Sequence, residues 1–444
     1  MLVHTGNITR ARPFAWRGAF KLTRMKVLIV AAHAMASTAC GPMSSASADV
    51  EPLQEEADLR GGYGGGRGPG RPGRPGHPGK PNGDGANADG LVLSENAYGV
   101  AATVSLTTPL KDARNNPFFQ SLGTNGRTCE SCHVLSANWG LAPDEVQARF
   151  DATDGEDPVF RLVDGANSPK ADVSTVEARR SAYSMLLSKA VIRIGLPLPP
   201  SGEVELVSVD DPYGFASAKE LSMFRRPLPS TNLAFLTATM WDGRESTPVA
   251  DALRGPNNTQ QDLAHQANDA TLGHAEATTG LSAEAQKQVV DFELGLFSAQ
   301  VADKAAGSLT ERGAQGGPVA LSKQAFYFGQ NDVVAGDSRT GAPFDPNVFT
   351  LYDTWSNGAD KRQARARASV QRGEALFNRT TFTIAGVRGL NDVLGVPALQ
   401  GTCTTCHDSP NIGHHSVRLP LDIGLTTAER RTPDMPLYTF CKRR

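Results

Sequence analysis

The chain has 444 residues, 20% of them charged, and a formal net charge of −2. That length accommodates about two or three domains, and so even a charge balance argues against a nucleic-acid binder. Basic residues collect in 1–26 and 67–80, leaving most of the remainder mildly acidic.

In chain order, Met25-Lys26 leads into the apolar run Val27 to Ala32, followed by small residues up to Cys40. A run this short fits the hydrophobic part of an export signal and is too short to span a membrane. Ser37-Thr38-Ala39-Cys40 resembles a bacterial lipoprotein cleavage box with Cys40 as the lipidated residue, although Ser37 replaces the usual large aliphatic. Residues 1–40 are therefore read as an export segment, which predicts the periplasm, with a lipid anchor at Cys40 or ordinary secretion as the two outcomes. Residues 41–90 read as a disordered Gly/Pro-rich linker. Gly70 to Pro81 forms four G-x-P triplets, far short of a collagen helix and suited to a stiff, extended spacer.

Folded structure is predicted from near Leu91. Asn125-Gly126 signals a turn, and Cys129-Glu130-Ser131-Cys132-His133 follows on a short helix. Pro143-Asp144-Glu145 starts a helix, with proline in the first turn and acids at the positive end of the dipole. The Asp- and Gly-rich stretch 151–172 reads as irregular. A helix is predicted over 174–190, capped by Ser174 with Glu177 closing a capping box. Glu203 to Val209 alternates as a strand does. Phe224-Arg225-Arg226-Pro227-Leu228-Pro229-Ser230-Thr231-Asn232 then runs on to Trp241-Asp242-Gly243-Arg244. A helix is predicted over 280–300, capped by Ser282, with Ala285, Val289, Phe292 and Leu296 as its apolar stripe. Residues 307–360 are loop-rich, and a helix over 361–377 precedes a second motif, Cys403-Thr404-Thr405-Cys406-His407.

C-x-x-C-H is the signature of covalent c-type haem attachment: two thiols one turn apart meet the vinyl groups, and the next histidine ligates the iron. Six cysteines and nine histidines in 444 residues do not produce two such motifs by chance. A redox C-x-x-C, or a zinc ion shared by the two pairs, would not require histidine at the same position twice. Two covalent haems are expected, held by Cys129, Cys132 and His133 and by Cys403, Cys406 and His407. Cys40 and Cys441 remain, so there is no disulfide framework to read.

Two haem motifs flanking W-D-G-R, downstream of R-x-x-P…N, resemble the bacterial di-haem cytochrome c peroxidases and the related MauG-type enzymes over about residues 95–440. The resemblance implies a mainly α-helical fold of two cytochrome c-like haem domains, 91–305 and 306–444. It also implies peroxide reduction at the first haem, electrons relayed through the second, and Trp241 between them. Its partners would be hydrogen peroxide and a small electron-donor protein, a cytochrome c or a cupredoxin.

The sequence departs from that family in three places. Where the family carries distal glutamine and glutamate after W-D-G-R, this chain offers His265, His274, Asp262 and Gln260, in that order of preference. Arg226 stands where family members use an asparagine at a calcium site, and a cation there predicts no calcium. Arg225, Arg226 and Arg244 instead suit haem propionates. Only 37 residues follow His407, with Met435 as the candidate sixth ligand of the second iron and His414 and His415 as further candidates. The ending Cys441-Lys442-Arg443-Arg444 reads as a truncated C-terminal domain. The alternatives to a peroxidase are an electron-transfer cytochrome and an inactive truncated homologue.

Overall fold

The computed structural model describes residues 90–443 apart from 200–201, 252, 357–360, 420 and 426. The export segment, Cys40 and nearly all of the linker lie outside the described residues.

The first elements are strands β1 (Val92–Asn96) and β2 (Gly99–Ser105), paired antiparallel. After the first C-x-x-C-H turn come α1 (Pro143–Thr153), α2 (Val176–Ala182), α3 (Ser184–Lys189) and β3 (Ile192–Leu196). Strands β4 (Val204–Asp210) and β5 (Leu221–Arg225) precede the hairpin of α4 (Thr259–Gly273) and α5 (Ala283–Leu294). Next are β6 (Leu296–Asp303), β7 (Gly307–Ser308) and the single turn α6 (Pro318–Leu321). The last part holds α7 (Lys361–Arg379), β8 (Phe382–Ala385), α8 (Asn391–Leu394), β9 (Ala398–Gly401) and β10 (Leu437–Lys442).

The expected mainly α-helical, cytochrome c-like class is wrong. Among the described residues helix accounts for 30% and strand for 18%, a mixed α/β fold with several small sheets. The largest runs β1-β2-β6-β7, and three two-stranded pairs join β10 to β4, β3 to β5 and β8 to β9. The helix predicted to Gln300 ends at Leu294, with Gly295 as its C-cap, and Leu296 onward turns into β6 against β2. An apolar stripe at helical spacing cannot distinguish the two fates; pairing with a strand some two hundred residues away does. The helix predicted over 174–190 splits at Tyr183, whose backbone (φ −99°, ψ 17°) leaves the helical region. Its cap is Thr175, whose hydroxyl accepts from the Ala178 amide, and not Ser174. The helix at Pro143, the strand near 204 and the helix from 361 form as read.

Two apolar clusters frame the first motif. Val146, Phe150, Phe160, Tyr183 and Leu186 pack on one side, with Cys132 and Val134 against them. Phe118, Trp139, Val289, Phe292 and Leu296 pack on the other, with Phe119 and Cys129 against them. A buried hydroxyl chain ties this second cluster to the sheet. Trp139 Nε1 donates to Thr103 Oγ1 (3.1 Å), which lies 2.6 Å from Ser298 Oγ, and Thr231 Oγ1 donates to Ser298 Oγ (3.0 Å). Asn232 brackets Ser298, accepting from its amide and donating to its carbonyl, both at 3.0 Å. The R-R-P-L-P-S-T-N stretch is thereby docked between β6 and the residues just past His133, where the Ser230 amide donates to the Trp139 carbonyl.

Candidate functional site

Both C-x-x-C-H motifs fold the same way. Thr128 and Ser131 close a reciprocal capping box around Cys129–Ser131, and Thr402 and Thr405 do so around Cys403–Thr405. In each, a hydroxyl residue before the first cysteine and another three later tighten the turn to a single 3₁₀ step. His133 Nδ1 donates to the Trp139 carbonyl (3.2 Å) and His407 Nδ1 to the Gly413 carbonyl (2.7 Å), in both cases six residues on. A carbonyl on Nδ1 sets the tautomer and leaves the Nε2 lone pair as the one able to ligate a metal, an arrangement common to metal-binding imidazoles. An aromatic ring backs each histidine: Phe118 at 6.4 Å from His133 and Phe377 at 5.6 Å from His407, between centroids.

The first motif opens onto a cleft lined by residues from both halves of its surroundings, and concave, largely apolar sites of this kind are where small molecules and cofactors bind. Cys129, Cys132 and His133 form one wall, and the floor is largely apolar, including Leu228, Leu233, Leu236 and Leu263. Burial pushes the His133 imidazole down to about 4, opposed by its bond to Trp139, so it stays neutral as a ligand must. Burial also raises the Cys129 and Cys132 thiols, the opposite of what a redox-active pair needs. Nor do the two cysteine pairs converge on one ion. Among the described residues, the only three ligand-type side chains grouped within reach of one ion are Glu245, His265 and Asp269.

Of the residues proposed from sequence for catalysis, the fold brings Trp241 and His274 to this cleft and leaves His265 outside it. Trp241 stands 55% exposed at the lip, its Nε1 donating to the Arg226 carbonyl (3.1 Å). Met240 beside it has φ +72°, a conformation costly for a bulky side chain, and this kink turns the indole outward instead of into the core. His265 lies on the exposed face of α4, its Nδ1 2.6 Å from Glu245 Oε2; that bond raises its pKa. Gln260 is exposed, and Asp262 is buried and accepts from the Thr247 amide and hydroxyl (2.9 and 2.6 Å). Arg225 and Arg244 both pair with Asp242, while Arg226 donates to the Lys189 carbonyl and, like Arg225, lines the cleft.

Three cleft residues escaped the sequence reading. Asp164 and Arg127, 3% and 2% exposed, form a 2.5 Å ion pair beneath His274, whose Nδ1 is 2.5 Å from the other Asp164 oxygen. Burial opposes ionisation of Asp164, but Arg127 and His274 outweigh it and hold its carboxyl below the usual range. Glu293 is buried on the same helix stripe as Val289, and burial lifts its carboxyl to about 7 against a hydrogen bond from Ser230. An acid on an apolar stripe was the available signal for Glu293. Asp164 gave none, since it sits in a loop 110 residues from His274.

The second motif is set differently. His407 is exposed and its cysteines half-buried. Threonine and asparagine side chains hold the turn: Thr404 Oγ1 donates to the Pro346 carbonyl, and Asn331 Nδ2 to the Asp345 and Asp408 carbonyls. His414 follows close by, its imidazole pushed down chiefly by burial and also by His407, its ring 6.4 Å from Phe235. His415 lies 3.3 Å from Asp408. Met435 closes a turn with Thr432. Its turn is anchored to the first half of the chain, where Tyr213 donates to the Asp434 carbonyl and Lys189 pairs with the Asp434 carboxylate. The strand that follows, β10, pairs with β4. Comparison with protein-family models, curated proteins and solved structures finds no match to this chain.

Proposed function

We propose that the protein is an exported, periplasmic di-haem c-type oxidoreductase of the cytochrome c peroxidase and MauG-type family, reducing hydrogen peroxide at the first centre. The observation that carries this reading is the pair of C-x-x-C-H turns with identical capping and identical histidine orientation, the first facing an apolar cleft. The residues present suit the group: two neutral thiols, a neutral imidazole oriented through Nδ1 by the Trp139 carbonyl, and apolar walls. Cys129 and Cys132 would hold the first haem with His133 as its iron ligand, and Cys403, Cys406 and His407 the second. Arg225 and Arg226 at the cleft suit its carboxylates.

The haems, when bound, supply the redox chemistry of H₂O₂ + 2 H⁺ + 2 e⁻ → 2 H₂O, with electrons from a small donor protein, a cytochrome c or a cupredoxin. The chain's own contribution is to exclude water with the leucine-lined floor, to orient His133 through Trp139, and to handle protons. His274 is the candidate proton-transfer group, and Trp241 at the lip is the candidate for passing electrons inward. Electron transfer without peroxide chemistry is the second reading, supported by the position of His265 outside the cleft.

The deciding experiment is the optical and EPR spectrum of haem-loaded protein, oxidised and half-reduced, with peroxide added to each. A high-spin ferric signal that responds to peroxide is expected. Two low-spin centres that ignore peroxide in every redox state would sink the peroxidase and leave an electron carrier.

A further inference from the structure

Resting on the peroxidase reading of this cleft, we infer that Asp164, fixed by Arg127, is a positioning residue that aims His274 as the cleft's proton shuttle. Asp164 offers one carboxylate oxygen to Arg127 Nη1 and the other to His274 Nδ1, each at 2.5 Å. Arg127 is itself immobilised, donating from Nε to the Pro158 carbonyl (2.8 Å), from Nη2 to Val159 (2.7 Å) and from Nη1 to the His274 carbonyl (3.1 Å). The guanidinium therefore locks both the carboxylate and the backbone of the histidine it serves. A carboxylate on Nδ1 fixes that proton, so Nε2 carries the available lone pair, on a ring whose side chain is 38% exposed along the cleft.

Breaking a peroxide bond requires a proton to leave one oxygen and reach the other. Nε2 accepts it from the first oxygen and returns it to the second, which departs as water with the electron pair of the O–O bond. The dyad ends as it began; the haem, when bound, would supply the redox chemistry by which two electrons from the donor protein and two further protons complete the reduction of H₂O₂ to two waters. The carboxylate stabilises the transient imidazolium, as an oriented acid does for any histidine base. The charged and titratable groups around His274 are Asp164, Arg127, Glu276 (whose Oε2 shares the Asn125 amide with the His274 carbonyl) and His133 across the wall.

The test uses full-length haem-loaded protein and two readouts. Labelling of His274 by diethyl pyrocarbonate, mapped by mass spectrometry across pH, reads its free imidazole. Steady-state peroxide reduction reads turnover. In Asp164→Asn the labelling midpoint should fall by about one pH unit, because the carboxylate charge is gone. Its kcat should drop about 10- to 100-fold with KM moving far less. His274→Gln should lose at least as much, and the double variant no more than His274→Gln alone. An unmoved labelling midpoint, or losses that multiply in the double variant, would overturn the inference. Should Asp164→Asn not fold, Asp164→Glu keeps the charge but displaces it: kcat should fall with the labelling midpoint near wild type, and unchanged kcat would overturn the inference. If the wild type reduces no peroxide, the functional reading fails, and the labelling arm alone still decides whether Asp164 governs His274.

Discussion

The two C-x-x-C-H turns are near copies in backbone and hydrogen bonding, yet they sit in opposite surroundings. The first is wedged between aromatic clusters, with Phe118, Trp139 and Phe292 buried and the histidine at the wall of an apolar cleft. The second hangs on a mesh of amide and hydroxyl side chains, with its histidine exposed. One sequence device thus serves a water-poor site and a solvent-facing one. Under the proposed function, the first site would handle the small substrate and the second would meet the donor protein.

The two surroundings differ most in the aromatic ring behind each histidine. Phe118 is fully buried and touches three other rings, so Phe118→Ala should cost about 3–5 kcal/mol in denaturant unfolding. Phe377, half-buried against Phe349 and His407, should cost only about 1–2 kcal/mol on the same change, since less area is lost. Equal losses would mean the two surroundings are energetically alike.

The next largest effect is a pH dependence confined to the first cleft. The Glu293 carboxyl rises to about 7 on folding, from an ordinary value near 4.3. The native state therefore holds this proton more tightly than the unfolded chain does. Its contribution to stability is intact below about pH 4 and declines as pH rises to about 7, by roughly 3 kcal/mol at most. Glu293→Gln should flatten that stretch of the stability–pH curve and be more stable than wild type at pH 8. A wild-type slope of the opposite sign between those limits would refute the assignment.

The smallest effect probes the polar mesh. Asn331→Ala leaves the Asp345 amide and the Asp345 and Asp408 carbonyls without that partner, and should cost about 1–3 kcal/mol. It should weaken attachment at His407 while leaving the spectrum of the first centre unchanged. A change at both centres would join what the two surroundings separate.

Much of the site and parts of the fold were readable from local signals. The thiol and imidazole spacing needs only one turn of chain, and Pro143 and Ser282 announce their helices through their own first turns. The candidate catalytic residues were less readable. His274 and Trp241 line the cleft and His265 does not; His265 lies within α4 on its exposed face, whereas His274 caps the end of that helix, where Asp164 meets it. Met435 is the only methionine after His407, and its turn docks on Tyr213 and Lys189 and leads into β10 beside β4.

Residues within a few positions of one another fix the two C-x-x-C-H turns, the hydroxyl caps that tighten them and the helices with strong ends. The tertiary structure decided the mixed α/β class, the switch from helix to strand at Gly295, the outward Trp241, and the Arg127–Asp164–His274 chain. Each of these depends on a partner far along the sequence, and no local pattern encodes which distant strand or carboxylate will be there when the chain closes.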